Sequence, residues 1–303
     1  MEHLWVVIVL IATALQTARN AGQKRLAEKL SAASATWVRF VFGLPIAAIY
    51  CLALWNAHAP HIGILNIEFF HYCLLAAICQ LTGTFLLILL FKLRNFAVGS
   101  TYVRSEAIIA AFIGAIFFED ILSFSGWVAV GISVVGVVLI SLTNIEFNRD
   151  QIRLFFFNSS AGIGLLCGLA FGIGSFFIRD ASLSLEGINF LLTSALTLLS
   201  VLLFQTVGLG IIVIIKTPAD IKKMITLWRQ CIFVGVTSAL GSIGWFTALT
   251  IQRVTYVKAL AQIEFIFALL VSYFIFGEKS SKIEILGMVL VVSGILILLM
   301  FTK

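Results

Sequence analysis

Apolar residues run through this chain in windows of about twenty, and the polar residues that interrupt them recur at helical spacing. Residues 4 to 15, LWVVIVLIATAL, are apolar on every face and predict one half of a membrane-spanning helix. As that helix continues, Gln16, Arg19, Asn20 and Gln23 follow at i, i+3, i+4 and i+7. At about 100° per residue, the four share an arc of roughly 100°. Polar groups face lipid only at high cost, so the arc is expected to face protein or a watery cavity. Leu4 to Gln16 covers roughly 18 Å of a hydrocarbon core about 30 Å thick. Gln16 therefore falls just past the midplane, while Gln23 approaches the interface beside Lys24.

Ten such windows occur, at roughly 3–23, 32–55, 68–91, 97–118, 123–143, 159–179, 187–215, 231–251, 254–276 and 283–301. Each is long enough for one bilayer crossing. The pattern predicts an all-α integral membrane protein of ten transmembrane helices with no extramembrane domain. Composition agrees: 61% of residues are hydrophobic and 11% charged, against about 25% charged in soluble domains. The first window has no basic segment before it and is followed by Lys24, Arg25 and Lys29, so it is expected to be a span rather than a cleaved signal peptide. The five cysteines, Cys51, Cys73, Cys79, Cys167 and Cys231, lie in or at the ends of windows with no CxxC pair. They are expected to pack rather than form disulfides or hold a metal. No cofactor or metal is expected.

The longest polar stretch, NIEFNRDQIR at 144–153, divides the chain near its midpoint. An offset of 158 then sets Glu264 on Glu106, Glu278 on Asp120, Gly294 on Gly136 and Gly241 on Gly83. The two acidic residues are 14 apart in each copy, EAIIAAFIGAIFFED and EFIFALLVSYFIFGE. The expected organisation is a repeat over 1–143, a linker at 144–158 and a second repeat over 159–303. Five spans per copy force the second copy to insert upside down, a five-plus-five inverted repeat with sites near the midplane.

TWVRF in the second span, carrying Arg39, and RNFAVGSTYVRSE entering the fourth match a known pattern. So do the repeat ends FFED and FGEK, each followed by a glycine-bearing span (GWVAVGISVVGVVLI and LGMVLVVSGILILL). On these residues the chain resembles the drug/metabolite transporter superfamily, EamA-like branch, over essentially its full length. It departs in the first span, where LQTARN stands in place of the family's frequent aromatic–glycine pair. The resemblance implies a transporter in which the first four spans of each half surround a central cavity and the fifth packs peripherally. Members export amino acids, metabolites or drugs, and others carry sugars linked to nucleotides.

Glu106 and Glu264 lie deep in the fourth and ninth spans. An ionisable group there costs about 2.5–3.5 kcal/mol on insertion scales, and an unpartnered buried carboxyl has a raised pKa suited to reversible protonation. Two readings stay open: a site for proton coupling or for a substrate amine, or a central ion pair across the repeat interface. Arg104 is about 200° around the helix from Glu106 and is not its same-face partner. Lys258 shares a face with Gln262. With Arg19 and Arg39 these basic residues form a set of four, and two facing the cavity would favour a carboxylate or phosphate; snorkelling to the interface is the alternative. Tyr102, Tyr256 and Trp245 are candidate cavity aromatics, against an ordinary core or interfacial role. Pro45, with Gly43, predicts a kink in the second span.

The expected function is a secondary active transporter of a small polar or amphipathic metabolite, amino-acid-like or an organic anion. It is expected to work by proton-coupled efflux across the cytoplasmic (inner) membrane. No catalytic residue is assigned: the four histidines lie in loops or at span ends, and no phosphate loop or nucleophile elbow occurs. A membrane enzyme or a scaffold protein is the alternative. The partners expected are the substrate, protons and the bilayer, with a homodimer left open. The net charge of +6 sits mostly in short loops and marks topology rather than nucleic-acid binding. The odd connections carry nearly all of it, among them Lys24, Arg25, Lys29, Lys92, Lys216, Lys222, Lys223 and Arg229, while the even ones hold Arg179 and Arg253. The positive-inside rule therefore puts both termini outside the cytoplasm, whereas the resemblance implies both inside.

Overall fold

A computed structural model describes residues 4–58, 65–93, 105–118, 123–142, 159–185, 187–264, 266–267 and 282–301. Described residues are helical almost throughout, with no strand among them. Helix occurs in every one of the ten windows: α1 (Leu4–Ala27), α2 (Ala32–Val41) with α3 (Leu44–His58), α4 (Ile67–Leu93), α5 (Ser105–Phe117) and α6 (Phe124–Leu142). The second half holds α7 (Ser159–Leu183), α8 (Phe190–Lys216), α9 (Pro218–Thr226), α10 (Trp228–Ile251), α11 (Val254–Leu260) and α12 (Lys282–Phe301). Six stretches are long and apolar enough to cross a membrane: Leu4–Ala27, Ala32–Ala57, Ile67–Leu93, Gly162–Leu183, Phe190–Lys216 and Trp228–Ile251. Helices in the other windows are shorter over the described residues. The chain is an all-α membrane protein.

Helix pairing follows the small residues. α1 packs on α10, α4 on α7, and α6 on α12. Gly244 of α10 sits so close to α1 that a Cβ there would meet the Ala12 Cβ at 2.9 Å. Gly136 of α6 lets the Gly287 carbonyl of α12 approach a would-be Cβ to 2.6 Å. Without a hydrophobic drive between helices in lipid, such close backbone approach is what dispersion needs.

Two windows are broken, for different reasons. The second is interrupted at Phe42–Gly43, where Pro45 cannot donate to the preceding turn and Gly43 lies against Gly235 of α10. In the ninth, the 3₁₀ turn Ala261–Ile263 follows α11 directly, and Glu264 caps it. No glycine or proline marks that second break, and a continuous helix was expected there.

One end of the bundle is tied by a polar clasp. Asp220 in the short amphipathic α9 accepts from the Ser31 N–H at 2.9 Å and from Lys223 Nζ at 3.0 Å. Lys92 Nζ donates to the Leu30 carbonyl at 2.8 Å, so α4 ends beside the same loop. At the opposite end, Arg179 Nη1 donates to the Leu249 and Gln252 carbonyls at 2.7 and 2.6 Å. A cation there satisfies the orphan carbonyls at the C-terminus of α10.

Candidate functional site: a central charged cavity

Helices α1, α2, α4, α5, α7 and α10, with α11 and the turn after it, enclose a cavity of about 70 Å³. At ~10–15 Å³ per water, it takes about five waters. Among the described residues α6 and α12 contribute none to its lining, and the two helices pack on each other. Its polar wall comes from the first-span stripe: Gln16, Arg19 and Asn20 all line it. Arg39, Gln80, Glu106, Ser175, Ser242, Lys258 and Glu264 complete the described polar set, and Phe171, Trp245 and Phe246 are its aromatics.

The two deep carboxylates differ in their surroundings. Glu106 on α5 forms an ion pair with Lys258 of α11, Oε1 to Nζ at 2.5 Å. The same Nζ lies 5.3 Å from the centre of the Trp245 ring, a cation–π distance. Lys258 therefore points inward rather than snorkelling. Glu264, 3% exposed, receives Gln16 Nε2 on Oε2 at 2.7 Å and Asn20 Nδ2 on Oε1 at 3.1 Å. Gln16 and Asn20 are one turn apart on α1, which is why a single carboxylate can take both amides.

The arginines are buried, Arg19 and Arg39 each 4% exposed. Arg19 donates from Nε and Nη2 to the Asn20 Oδ1 at 3.2 and 2.8 Å. Arg39 donates from Nε to Ser238 Oγ at 3.1 Å and from Nη1 to Thr84 Oγ1 at 2.9 Å, tying α2 to α10 and α4. Among the described residues neither arginine has a carboxylate within 4 Å.

Three expected cavity residues lie elsewhere. Gln23 is fully buried between α1 and α2, its Nε2 donating to the Ala35 carbonyl at 3.3 Å. It is on the polar face, but one turn past Asn20 the second span has closed over that face. Tyr256 is 5% exposed in the core and Gln262 1% exposed within the 3₁₀ turn, whose tighter winding carries it off the lining face. Among the described residues, neither amide atom of Gln262 has a hydrogen-bond partner. Tyr102 and Arg104 lie outside the described residues. Five polar positions that touch the cavity or its arginine were missed: Ser175, and the two pairs Gln80 and Thr84, and Ser238 and Ser242. Each pair is spaced i, i+4 in an apolar span, the same signal that marked α1, and the 158 offset superposes one pair on the other.

Comparison with known proteins agrees with this architecture. One crystal structure of a protein superposes on 100% of this chain and 99% of its own, with a TM-score of 0.71 at 11% identity, a likeness of fold alone. It is among 25 matching solved chains. No curated protein matches the sequence. In the half that supplies Trp245, Lys258 and Glu264 to the cavity, the likeness extends to a named family: residues 158–300 match the EamA-like transporter family.

Proposed function

We propose that this membrane transporter of the drug/metabolite kind carries a small organic anion, or an amino-acid-like metabolite bearing one, with coupling to protons. The observation that carries the reading is the charge of the cavity. Among the described residues Arg19, Arg39 and Lys258 face Glu106 and Glu264 across it, three cations to two carboxylates around a space of about 70 Å³. Buried charge without compensation is costly, and an anionic group supplies what the wall lacks. The volume suits a small solute.

Movement follows from the repeat, which we read as two inverted five-span halves, 1–143 and 159–303. The packing supports it: under the 158 offset, the α1–α10 contact exchanges with the α4–α7 contact, and α6 and α12 exchange with each other. Rocking of such halves around a fixed midplane site gives alternating access. The 3₁₀ turn before Glu264 is a departure from regular helix beside that site, of the kind that often marks a hinge. Lys92 and Lys223 donate to the Leu30 and Lys29 carbonyls at one end of the bundle, whereas Arg179 marks the other. By the positive-inside rule the lysine end is cytoplasmic, which leaves both termini outside an inner membrane and supports net efflux of an internal metabolite.

Counterflow into liposomes by purified protein, using radiolabelled monocarboxylates, dicarboxylates and amino acids with neutral amide analogues as controls, tests the reading. Anions are exchanged in preference to their amides, and Arg19→Gln or Arg39→Gln reduces exchange at least tenfold. Equal exchange of anion and amide, or none of either, overturns it.

A further inference from the structure

The polar stripe of α1 continues past the cavity. Gln16, Arg19 and Asn20 line the cavity, and Gln23 extends the same face one turn nearer the end where Lys92 and Lys223 bond. There the stripe is roofed. Gln23 is fully buried, and its Nε2 donates to the Ala35 carbonyl of α2 at 3.3 Å. Its Oε1 is buried with no hydrogen-bond partner among the described residues. Leu26, Leu30, Ser34 and Ala35, around the corner between α1 and α2, are buried as well. A carboxamide accepts as readily as it donates, and a dry acceptor left without a donor is costly. Pure packing at position 23 would be served better by an apolar side chain. Water reaching the stripe from this end would give Oε1 its donor.

The roof is held by polar bonds that cross from one half of the chain to the other. Asp220 of α9 is the hub: it accepts from the Ser31 N–H at 2.9 Å and from Lys223 Nζ at 3.0 Å. The same Nζ donates to the Lys29 carbonyl at 3.3 Å. Beside them, the Ser34 and Thr217 hydroxyls bond at 3.1 Å. Neither corner needs these bonds in order to form. Ser31 caps α2 through its own hydroxyl, which accepts from the Ser34 N–H at 3.2 Å, and Pro218 begins α9. Such bonds exchange for bonds to water at modest net cost. A contact that must break and re-form in each cycle has that character.

Resting on the alternating-access reading above and not on the identity of the substrate, we propose that Asp220 is the latch of a gate. Its hold on the α1–α2 corner keeps the roof over Gln23, and its release opens a wet path along the α1 stripe to the lysine end. Gln23 is then a pathway residue, dry here because the gate is shut. From Gln16 to Gln23 the opened path runs roughly 10 Å.

The test follows the thiol of Gln23→Cys in the full chain in sealed vesicles. A charged, membrane-impermeant methanethiosulfonate reagent is applied to one face at a time, and labelling is read by peptide mass spectrometry. Adding Asp220→Ala raises the rate from the lysine face at least tenfold. The buried Cys73, Cys167 and Cys231 stay unlabelled, which separates opening from unfolding. Lys223→Met, at a half-exposed side chain, gives a rise of about threefold and a second reading should Asp220→Ala fail to fold. An unchanged rate in both variants, or a rise shared by the three native cysteines, overturns the latch. The rocking reading has its own measure: labelling of Gln16→Cys from the opposite face falls when Asp220→Ala is added. If that labelling does not fall while the Gln23→Cys rate rises, rocking is lost and the latch stands.

Discussion

Breaking the Lys258–Glu106 pair from one side should destabilise the protein far more than removing it from both. The side chains are 12% and 18% exposed and 2.5 Å apart. Orphaning one charge of a buried pair costs about 3–5 kcal/mol, whereas replacing both with neutral groups of similar shape is often neutral. This pair borders a cavity that admits water, so the lower end applies, and Lys258→Met is expected to cost about 3 kcal/mol. Glu106→Gln should cost less, about 2 kcal/mol, because the lysine keeps the Trp245 ring, an interaction of roughly 0.5–2 kcal/mol. Glu106→Gln/Lys258→Met should return to within ~1 kcal/mol of wild type, a strong coupling. At about 2 °C per kcal/mol for a chain of this size, the single losses read as roughly 4–6 °C in Tm. The chain supplies its own probe, since Cys73, Cys167 and Cys231 are fully buried and react with a fluorogenic thiol dye only on unfolding. Single variants within ~1 °C of wild type, or a double variant whose loss is the sum of the singles, refute the reasoning.

Gly235→Ala should destabilise by about 1–3 kcal/mol, because its Cβ would collide with Phe42, lying 2.8 Å from the Phe42 carbonyl carbon where the second span bends. Gly208→Ala, with nothing within 4 Å, should instead leave Tm unchanged or raise it, and the same dye assay separates the two. Arg39→Lys should lower transport, since one ammonium cannot reproduce a fork that reaches Ser238 and Thr84 at once; wild-type counterflow in this variant removes Arg39 from the site. Burial alone would raise the pKa of Asp220, but hydrogen bonds from the Ser31 N–H and Lys223 outweigh it and bring the carboxyl down to about 2. Its folded value is thus below the unfolded ~3.9, so its contribution is complete above ~3.9 and is lost as pH falls through about 2. Asp220→Asn should lower Tm above pH 4 and flatten its acid dependence between pH 4 and 2; a parallel wild-type and variant profile would exclude the clasp.

What the chain discloses before folding is set by which physical rules are local. The stripe Gln16, Arg19, Asn20 is legible because helical period and the intolerance of lipid for polar groups act on one helix at a time. Pro45 is legible for the same reason, as backbone chemistry carried by one residue. Gln23 obeys the same period yet ends under α2, because period identifies a face and not what comes to cover it. The 3₁₀ turn before Glu264 has no local breaker, so packing among α1, α11 and α12 must hold it. The Lys258–Glu106 pair is likewise a product of packing, since α11 and α5 meet only in the folded bundle.

The proposed repeat sharpens the point, because it separates the residues that shape the cavity from those that charge it. Under the 158 offset, Gln80 corresponds to Ser238, Thr84 to Ser242 and Glu106 to Glu264. Small polar groups and carboxylates thus occur in both halves, as a wall built twice should have them. The cations do not follow. Arg19 corresponds to Phe177, Arg39 to Thr197, and Lys258 to Ser100. One half supplies both arginines and the other supplies the lysine that neutralises Glu106. Were the cavity strictly symmetric, its two carboxylates would have equivalent surroundings. The departures from symmetry place one carboxylate in an ion pair and the other under two amides that an arginine holds in register. On the proposed reading, duplication accounts for the polar wall common to both halves, and the unpaired substitutions on top of it account for the three cations among the described lining residues.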